Sequence, residues 1–247
     1  MVRADPSPTP SDEEQMTQRA VLHVWGVTTS MVPPALGLTG AWQLARLGPT
    51  APSFGKALGT GSGRTFTMRD ADPHHWGLLT VWSDAAAAAE FEKHWLVRSW
   101  RRCAYEQLRL EMRPISTRGQ WSKVSPFQPG SASRHDTHRV AAITRARIRP
   151  RYWRTFARSV PQVSTDAHAM NGPMFSLGIG EAPIGLQGTF SIWQSHADID
   201  AFAYQRTAHR EVIARTQETG WYAEELFARF AVLACEGTYN GAAVELS

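Results

Sequence analysis

The feature that most constrains this chain is that it repeats itself. Leu58-Gly-Thr-Gly61 returns as Leu177-Gly-Ile-Gly180, an offset of 119, and Leu79-Thr-Val-Trp82 returns as Phe190-Ser-Ile-Trp193, an offset of 111. A phenylalanine follows each tryptophan nine residues later, at Phe91 and Phe202. The eight-residue change in offset falls where the first half carries the longer loop, from Arg64 to Trp76. One Gly-x-Gly match means little, but an ordered series with a single insertion points to an internal duplication.

Each half then yields the same series of elements. Leu22–Val27 and Val140–Ile148 read as opening strands, with clear alternation only in the second. Helices are predicted from Pro33 and over Arg151–Arg158, the latter just after Pro150. Second strands end in the Gly-x-Gly turns, and Gly77–Trp82 and Gly188–Trp193 are third strands. Helices follow, with short helical turns around Trp100–Gln107 and Ala223–Phe227, before fourth strands at Leu108–Pro114 and Ala228–Ala234. The order is βαββαβ twice, an α+β chain of two tandem ferredoxin-like repeats. Placed face to face, the two sheets form one pseudo-dimeric α+β barrel. The expected division is a disordered tail over 1–19, repeats over 20–115 and 139–247, and a linker over 116–138. Trp121 and Phe127 in that linker predict that it packs onto the barrel.

Composition narrows the class. The 247 residues are 43% hydrophobic, too apolar for a disordered chain, yet no run reaches the ~20 apolar residues of a membrane helix. The first 19 residues lack the apolar centre of a signal peptide, so a cytoplasmic protein is the default expectation. Cys103 and Cys235 stand far apart with no CxxC spacing, which favours neither a disulfide framework nor a zinc site. Lysine occurs only at 56, 93 and 123, so 23 of the 26 basic residues are arginine. Codon bias explains such an excess, but arginine is also the side chain that clamps carboxylates and phosphates. The ten tryptophans suit a thick core or a large apolar ligand.

The halves differ in one telling place. Sixteen residues after Trp193 stands His209, whereas sixteen after Trp82 stands Arg98. A lone histidine is ordinarily a capping or surface residue. It can also hold haem iron from one side. No Asp, Glu or Cys accompanies His209 at ligand spacing, which argues against zinc or non-haem iron.

Ser191-Ile-Trp193, then Phe202, then Ala208-His209 resembles the haem-binding ferredoxin-like barrels of the antibiotic-biosynthesis monooxygenase superfamily. A closer resemblance covers most of the chain. Gly59-Thr-Gly61, Trp121-Ser122 with Pro126-Phe127, Thr144–Pro150, Ile179–Pro183, Phe190–Trp193 and Gly220–Phe230 all look like the spheroidene monooxygenase family. The last of these, with Trp221, Glu224, Glu225 and Arg229, is the most specific. The first half matches less well, notably the tail and the insert with His74 and His75. The resemblance implies a haem-dependent oxygenase acting on an apolar carotenoid-like or secondary-metabolite substrate. It also implies haem b as cofactor, His209 as proximal iron ligand, and dioxygen with an electron donor such as ferredoxin.

Haem b requires an apolar slot, one axial ligand and cations for two propionates, and the barrel interior is the expected slot. Arg145 and Arg147 alternate with Arg149 on one face of the opening strand, as a propionate clamp or simply as an exposed edge. Arg229, two residues into the last strand, is a second candidate cation. Trp193 and Phe202 are the apolar candidates to line the cofactor, although a tryptophan in both copies also suits plain core packing. His23, Trp25 and Trp82 are further lining candidates, and Glu224 and Glu225 read as helix-start carboxylates. No distal catalytic residue is nominated.

Competing readings remain. The same haem scaffold could dehydrate aldoximes or form bonds to nitrogen, or a binding protein could carry haem or another apolar ligand without turnover. The stretch 134–158 holds eight arginines and one acid, Asp136, but no nucleic-acid recognition motif accompanies it, so no nucleic-acid partner is expected. A homo-oligomer remains open.

Overall fold

The computed structural model of the chain describes residues 17–48, 50–61, 70–130, 139–149, 173–181, 188–205 and 222–244. The helix predicted over Arg151–Arg158, the segment 1–16 of the tail, and His209 with Trp221 lie outside these residues. The described strands are β1 (Arg19–Gly26), β2 (Phe54–Gly61), β3 (Ala71–Trp82), β4 (Glu106–Gly119), β5 (Val140–Ile148), β6 (Phe175–Glu181), β7 (Gly188–Trp193), β8 (Tyr222–Tyr239) and the two-residue β9 (Ala242–Ala243). The described helices are α1 (Val32–Ala45), α2 (Ala85–Phe91), α3 (Trp95–Cys103) and α4 (His196–Gln205).

Eight strands run in the order β4-β1-β3-β2-β6-β7-β5-β8, and a β4–β8 pairing closes them into an antiparallel barrel. The first half contributes its strands in the order 4-1-3-2, and the second half follows the same order when numbered from β5. The β4–β8 seam runs from Leu108↔Gly237 to Gly119↔Leu226. Both its ends need glycine. Gly119 and Gly237 have φ of +92° and +99°, and a Cβ there would lie 2.1 Å from the Glu225 carbonyl and 2.0 Å from that of Gln107.

Alternation along each strand sorts side chains between two layers. Ala20, Leu22 and Val24 of β1, Ala141 and Ile143 of β5, Phe190 and Ile192 of β7, and Leu226, Ala228 and Phe230 of β8 point inward. Trp121 and Phe127 join them from the segment after β4, Phe127 edge-on to Phe230 with centroids 4.8 Å apart. The linker therefore packs onto the barrel as its aromatics predict, and it stoppers the interior. An eight-stranded barrel is just wide enough for its own side chains to fill. Beside Leu58, Trp121 and Ile179 not even a water-sized sphere fits. Among the described residues the interior is packed with side chains, and no haem-sized slot is found there.

The boundaries of the fourth strands also differ from expectation. β4 runs on to Gly119, and Ala223–Phe227 belongs to β8 rather than to a helical turn. Glu224 and Leu226 face one way and Glu225 and Phe227 the other, a period of two imposed by pairing with β5 on one side and β4 on the other. Helix-forming residues yield here to two ladders of hydrogen bonds.

Candidate functional site

The outer face of the second half holds three of the six nominated residues. Trp193 ends β7 on that face, and its indole N–H donates to Ser191 Oγ at 2.8 Å. Its ring meets Phe202 of α4 with centroids 5.1 Å apart and planes 50° apart. Val140, Ala142 and Ile199 complete this small cluster. Arg229, on β8, lies across the ladder from Ala142, and its Nη2 donates to Asp200 Oδ1 on α4 at 2.6 Å. Wall, floor and cation thus come from β7 with α4, from β5 beside β7, and from β8 on the far side of β5.

The floor is made of short side chains. Val140 pairs with Trp193 as Arg19 pairs with Trp82, which aligns Ala142 with Val21, Thr144 with His23 and Ala146 with Trp25. In the first half those positions are filled. His23 stacks on Trp25 at 5.0 Å, and Trp25 stacks on Trp100 of α3 at 4.9 Å, each pair within 5° of parallel. The two tryptophans that end β3 and β7 are bound alike, Trp82 to Thr80 Oγ1 at 2.9 Å as Trp193 is to Ser191. So the halves share a frame and differ in what stands on it. His23 and Trp25 line the helix layer of the first half rather than the barrel interior.

Arg145 and Arg147 sit on the opposite face of β5 from Ala142 and Thr144, at the barrel mouth. Arg145 is buried, with Nη1 donating to Glu224 Oε1 at 2.5 Å, Nη2 to Glu181 Oε1 at 2.9 Å, and its guanidinium 4.9 Å from the centre of the Trp121 ring. Glu181 also accepts from Trp121 Nε1 at 2.9 Å and Lys56 Nζ at 3.0 Å. Burial pushes the Glu181 carboxyl up, but those hydrogen bonds and the charges of Lys56 and Arg145 outweigh it and hold it below the ordinary value. Glu224 is likewise raised by burial and lowered further by the Lys123 and Ser122 amides and by Arg145. Ser122 and Lys123 both adopt left-handed φ, 55° and 64°, and their N–H groups reach the Glu224 carboxylate at 3.1 and 2.8 Å. Glu224 is therefore the clasp that holds the Trp121 strap, not a helix-start carboxylate. Arg147 lines an open groove of about 620 Å³ outside this clasp, with Lys123, Glu224 and Glu225.

The structure thus separates the nominated arginines. Arg229 shares a face with Trp193 and Phe202, while Arg145 and Arg147 belong to the mouth. His209 follows α4 in sequence and lies outside the described residues. Sequence reasoning missed Asp200, Glu181 and the floor of Ala142, Thr144 and Ala146. Among the described residues, no group of three His, Cys, Asp or Glu is arranged to hold a metal ion.

A third polar cluster sits where β3 meets β8. His75 is buried between Asp72, at 2.6 Å from Nδ1, and Glu106, at 2.8 Å from Nε2. Glu106 in turn accepts from Thr238 Oγ1 and from the amides of Asn240 and Gly241. Burial lowers the His75 pKa, but the two carboxylates outweigh it and raise it. Glu106 thereby ties the β8–β9 turn to the barrel, with His75 and Asp72 behind it.

No protein-family model matches the chain. Individual relatives do. The spheroidene monooxygenase of Rhodobacter capsulatus is 37% identical over 190 residues, 76% of this chain and 78% of that protein. The spheroidene monooxygenase of Rubrivivax gelatinosus is 36% identical over 220 residues, 85% of this chain and 82% of that protein. The crystal structure of an aldoxime dehydratase matches over 93% of this chain and 83% of its own, with a TM-score of 0.55 at 13% identity, a likeness of fold. No described helix is long and apolar enough to cross a membrane. With sequence identity of this extent over most of both chains, the protein belongs to the spheroidene monooxygenase family and is an oxidoreductase of the monooxygenase kind.

Proposed function

We propose that the chain is a haem-dependent monooxygenase whose cofactor lies on the outer face of the second half, with His209 as proximal ligand to the iron. The observation that carries this reading is the floor of Ala142, Thr144 and Ala146, at positions that the first half fills with Val21, His23 and the Trp25–Trp100 stack. Trp193 and Phe202 would wall the slot and keep water from it. Arg229 would neutralise a propionate, exchanging Asp200 for it. When bound, haem b would supply the activation of dioxygen. The second nitrogen of His209 would donate to a carboxylate or carbonyl, which fixes the ring and tunes its basicity. Arg145 and Arg147 serve the barrel mouth in this reading.

The two halves are read as tandem ferredoxin-like repeats, supported by their common strand order and by the βαββαβ series of the first half. Family kinship supports an apolar, carotenoid-like substrate, with dioxygen and an external electron donor such as ferredoxin. Purified protein titrated with haemin is expected to develop a Soret band that His209→Ala loses or shifts. A protein that stays colourless after reconstitution overturns the reading. Turnover without dioxygen and reductant would instead move the loaded protein to dehydratase-like chemistry.

A further inference from the structure

The helix layer of the first half has an outward face that none of the described residues covers. The 29 residues from Val27 to Gly55 carry one charge, Arg46, in a chain that is 19% charged. Within them α1 buries Ala35, Trp42 and Ala45 against the sheet. Its opposite side presents Leu36, Gly40, Leu44 and, just past its end, Leu47, which fall on one stripe at helical spacing. Leu44 and Leu47 are 71% and 75% exposed, and Leu36 is 47% exposed. Beside Gly37 and Gly40 an added Cβ would meet only open space. A surface helix normally reverses this pattern and turns charge outward.

α3 packs beside α1 and supplies the complement. It buries Leu96, Val97 and Trp100, so Trp95, Arg98 and Arg102 project from the side away from the sheet. Trp95 is 48% exposed. Arg46, Arg98 and Arg102 make no ion pair among the described residues, whereas Arg101 is bound to Glu92 and Lys93 to Glu90. The face is an apolar stripe flanked by unpaired cations and one half-exposed indole.

We propose that α1 and α3 form a docking surface for an anionic lipid bilayer. Leu36, Leu44 and Leu47 would enter the boundary between headgroups and acyl chains, Trp95 would lie at headgroup level, and Arg46, Arg98 and Arg102 would meet lipid phosphates. A second copy of the chain fits this face less well. It would bring like charges together, and a single-helix stripe falls short of the ~800 Å² per partner that a stable dimer buries. Docking would bring the enzyme to the phase that holds an apolar substrate, but the inference depends on neither substrate nor haem.

The test is sedimentation of the full-length protein with phosphatidylcholine vesicles, with and without phosphatidylglycerol. Binding is expected only to the phosphatidylglycerol vesicles and should weaken with added salt. The double variant Leu44→Gln/Leu47→Gln should bind roughly a hundredfold more weakly, and Arg98→Gln/Arg102→Gln about thirtyfold more weakly. Both should melt at the wild-type temperature, because the altered side chains are exposed. Quenching by brominated acyl chains, lost in Trp95→Phe, reports insertion independently. Failure of the wild type to sediment with anionic vesicles overturns the proposal. Unchanged binding by the leucine variant does so too, as does a wild-type dimer that the leucine variant makes monomeric while vesicles go unbound. Haemin-free and haemin-loaded protein should behave alike, so failure here leaves the haem reading standing.

Discussion

The outer layers of the two halves rest on the same strand frame and are furnished in opposite ways. Under α1, α2 and α3 the first half buries Trp25, Trp42, Trp76, Trp82 and Trp100 in one continuous cluster. Over the described part of the second half, the same face carries Val140, Ala142, Trp193 and Ile199, with Phe202 beside them. Among the described residues, large aromatic side chains are concentrated in the first. In the proposed reading, one half is packed to hold the fold while the other is left open for the cofactor.

The largest expected effect comes from erasing the difference. Ala146→Trp sets an indole on the floor, as Trp25 does in the first half, and should abolish haemin binding while the protein stays folded. An absorbance titration that matches wild type would show that the floor is not the slot. The converse change, Trp25→Ala, removes the middle of the His23–Trp25–Trp100 stack. It should destabilise the protein by about 3–5 kcal/mol in denaturant melts, with haemin affinity unchanged per folded molecule.

A third test concerns the charged edge of the first layer. Burial pushes Glu92 up, but hydrogen bonds and charge from His23 and Arg109 dominate and hold its carboxyl at about 2, against an ordinary 4.5. A lowered carboxyl pKa contributes stability that is complete above pH 4.5 and disappears as pH falls toward 2. Glu92→Gln should therefore be less stable than wild type near neutrality and lose less on acidification. Parallel stability curves across that window would mean the network carries no weight. The smallest effect is expected at Asp200, whose pair with Arg229 is half exposed. Asp200→Asn should cost under ~1 kcal/mol of stability and leave haemin affinity equal or higher, because it frees the guanidinium. A large loss of haemin affinity would make Asp200 part of the slot itself.

Much of the frame was legible from repetition. The Gly-x-Gly and Trp echoes fall on β2 with β6 and on β3 with β7, which occupy matching places in the strand order of the two halves. Three things were not legible. Ala223–Phe227 has the local preferences of a helix and becomes strand only because neighbours on both sides supply ladders. Arg145 and Arg229 look equivalent in sequence, and only the register of β5 against β8 sends them to opposite faces. Ala142 and Thr144 are unremarkable until that register sets them against Val21 and His23. In the proposed reading, such small side chains stand out only by contrast with a filled twin.

The β4–β8 seam has a consequence for the order of events in the cell. Its partners stand more than a hundred positions apart, and β8 is the last barrel strand to leave the ribosome. Contacts so distant in sequence are slow to form, so closure waits for synthesis of nearly the whole barrel. Until then Leu108, Leu110 and Met112 lack their covering strand, and Arg229 has not yet been made. Nascent chains would therefore expose apolar β4 edge for many seconds, a window in which chaperones, not ligand, must protect them.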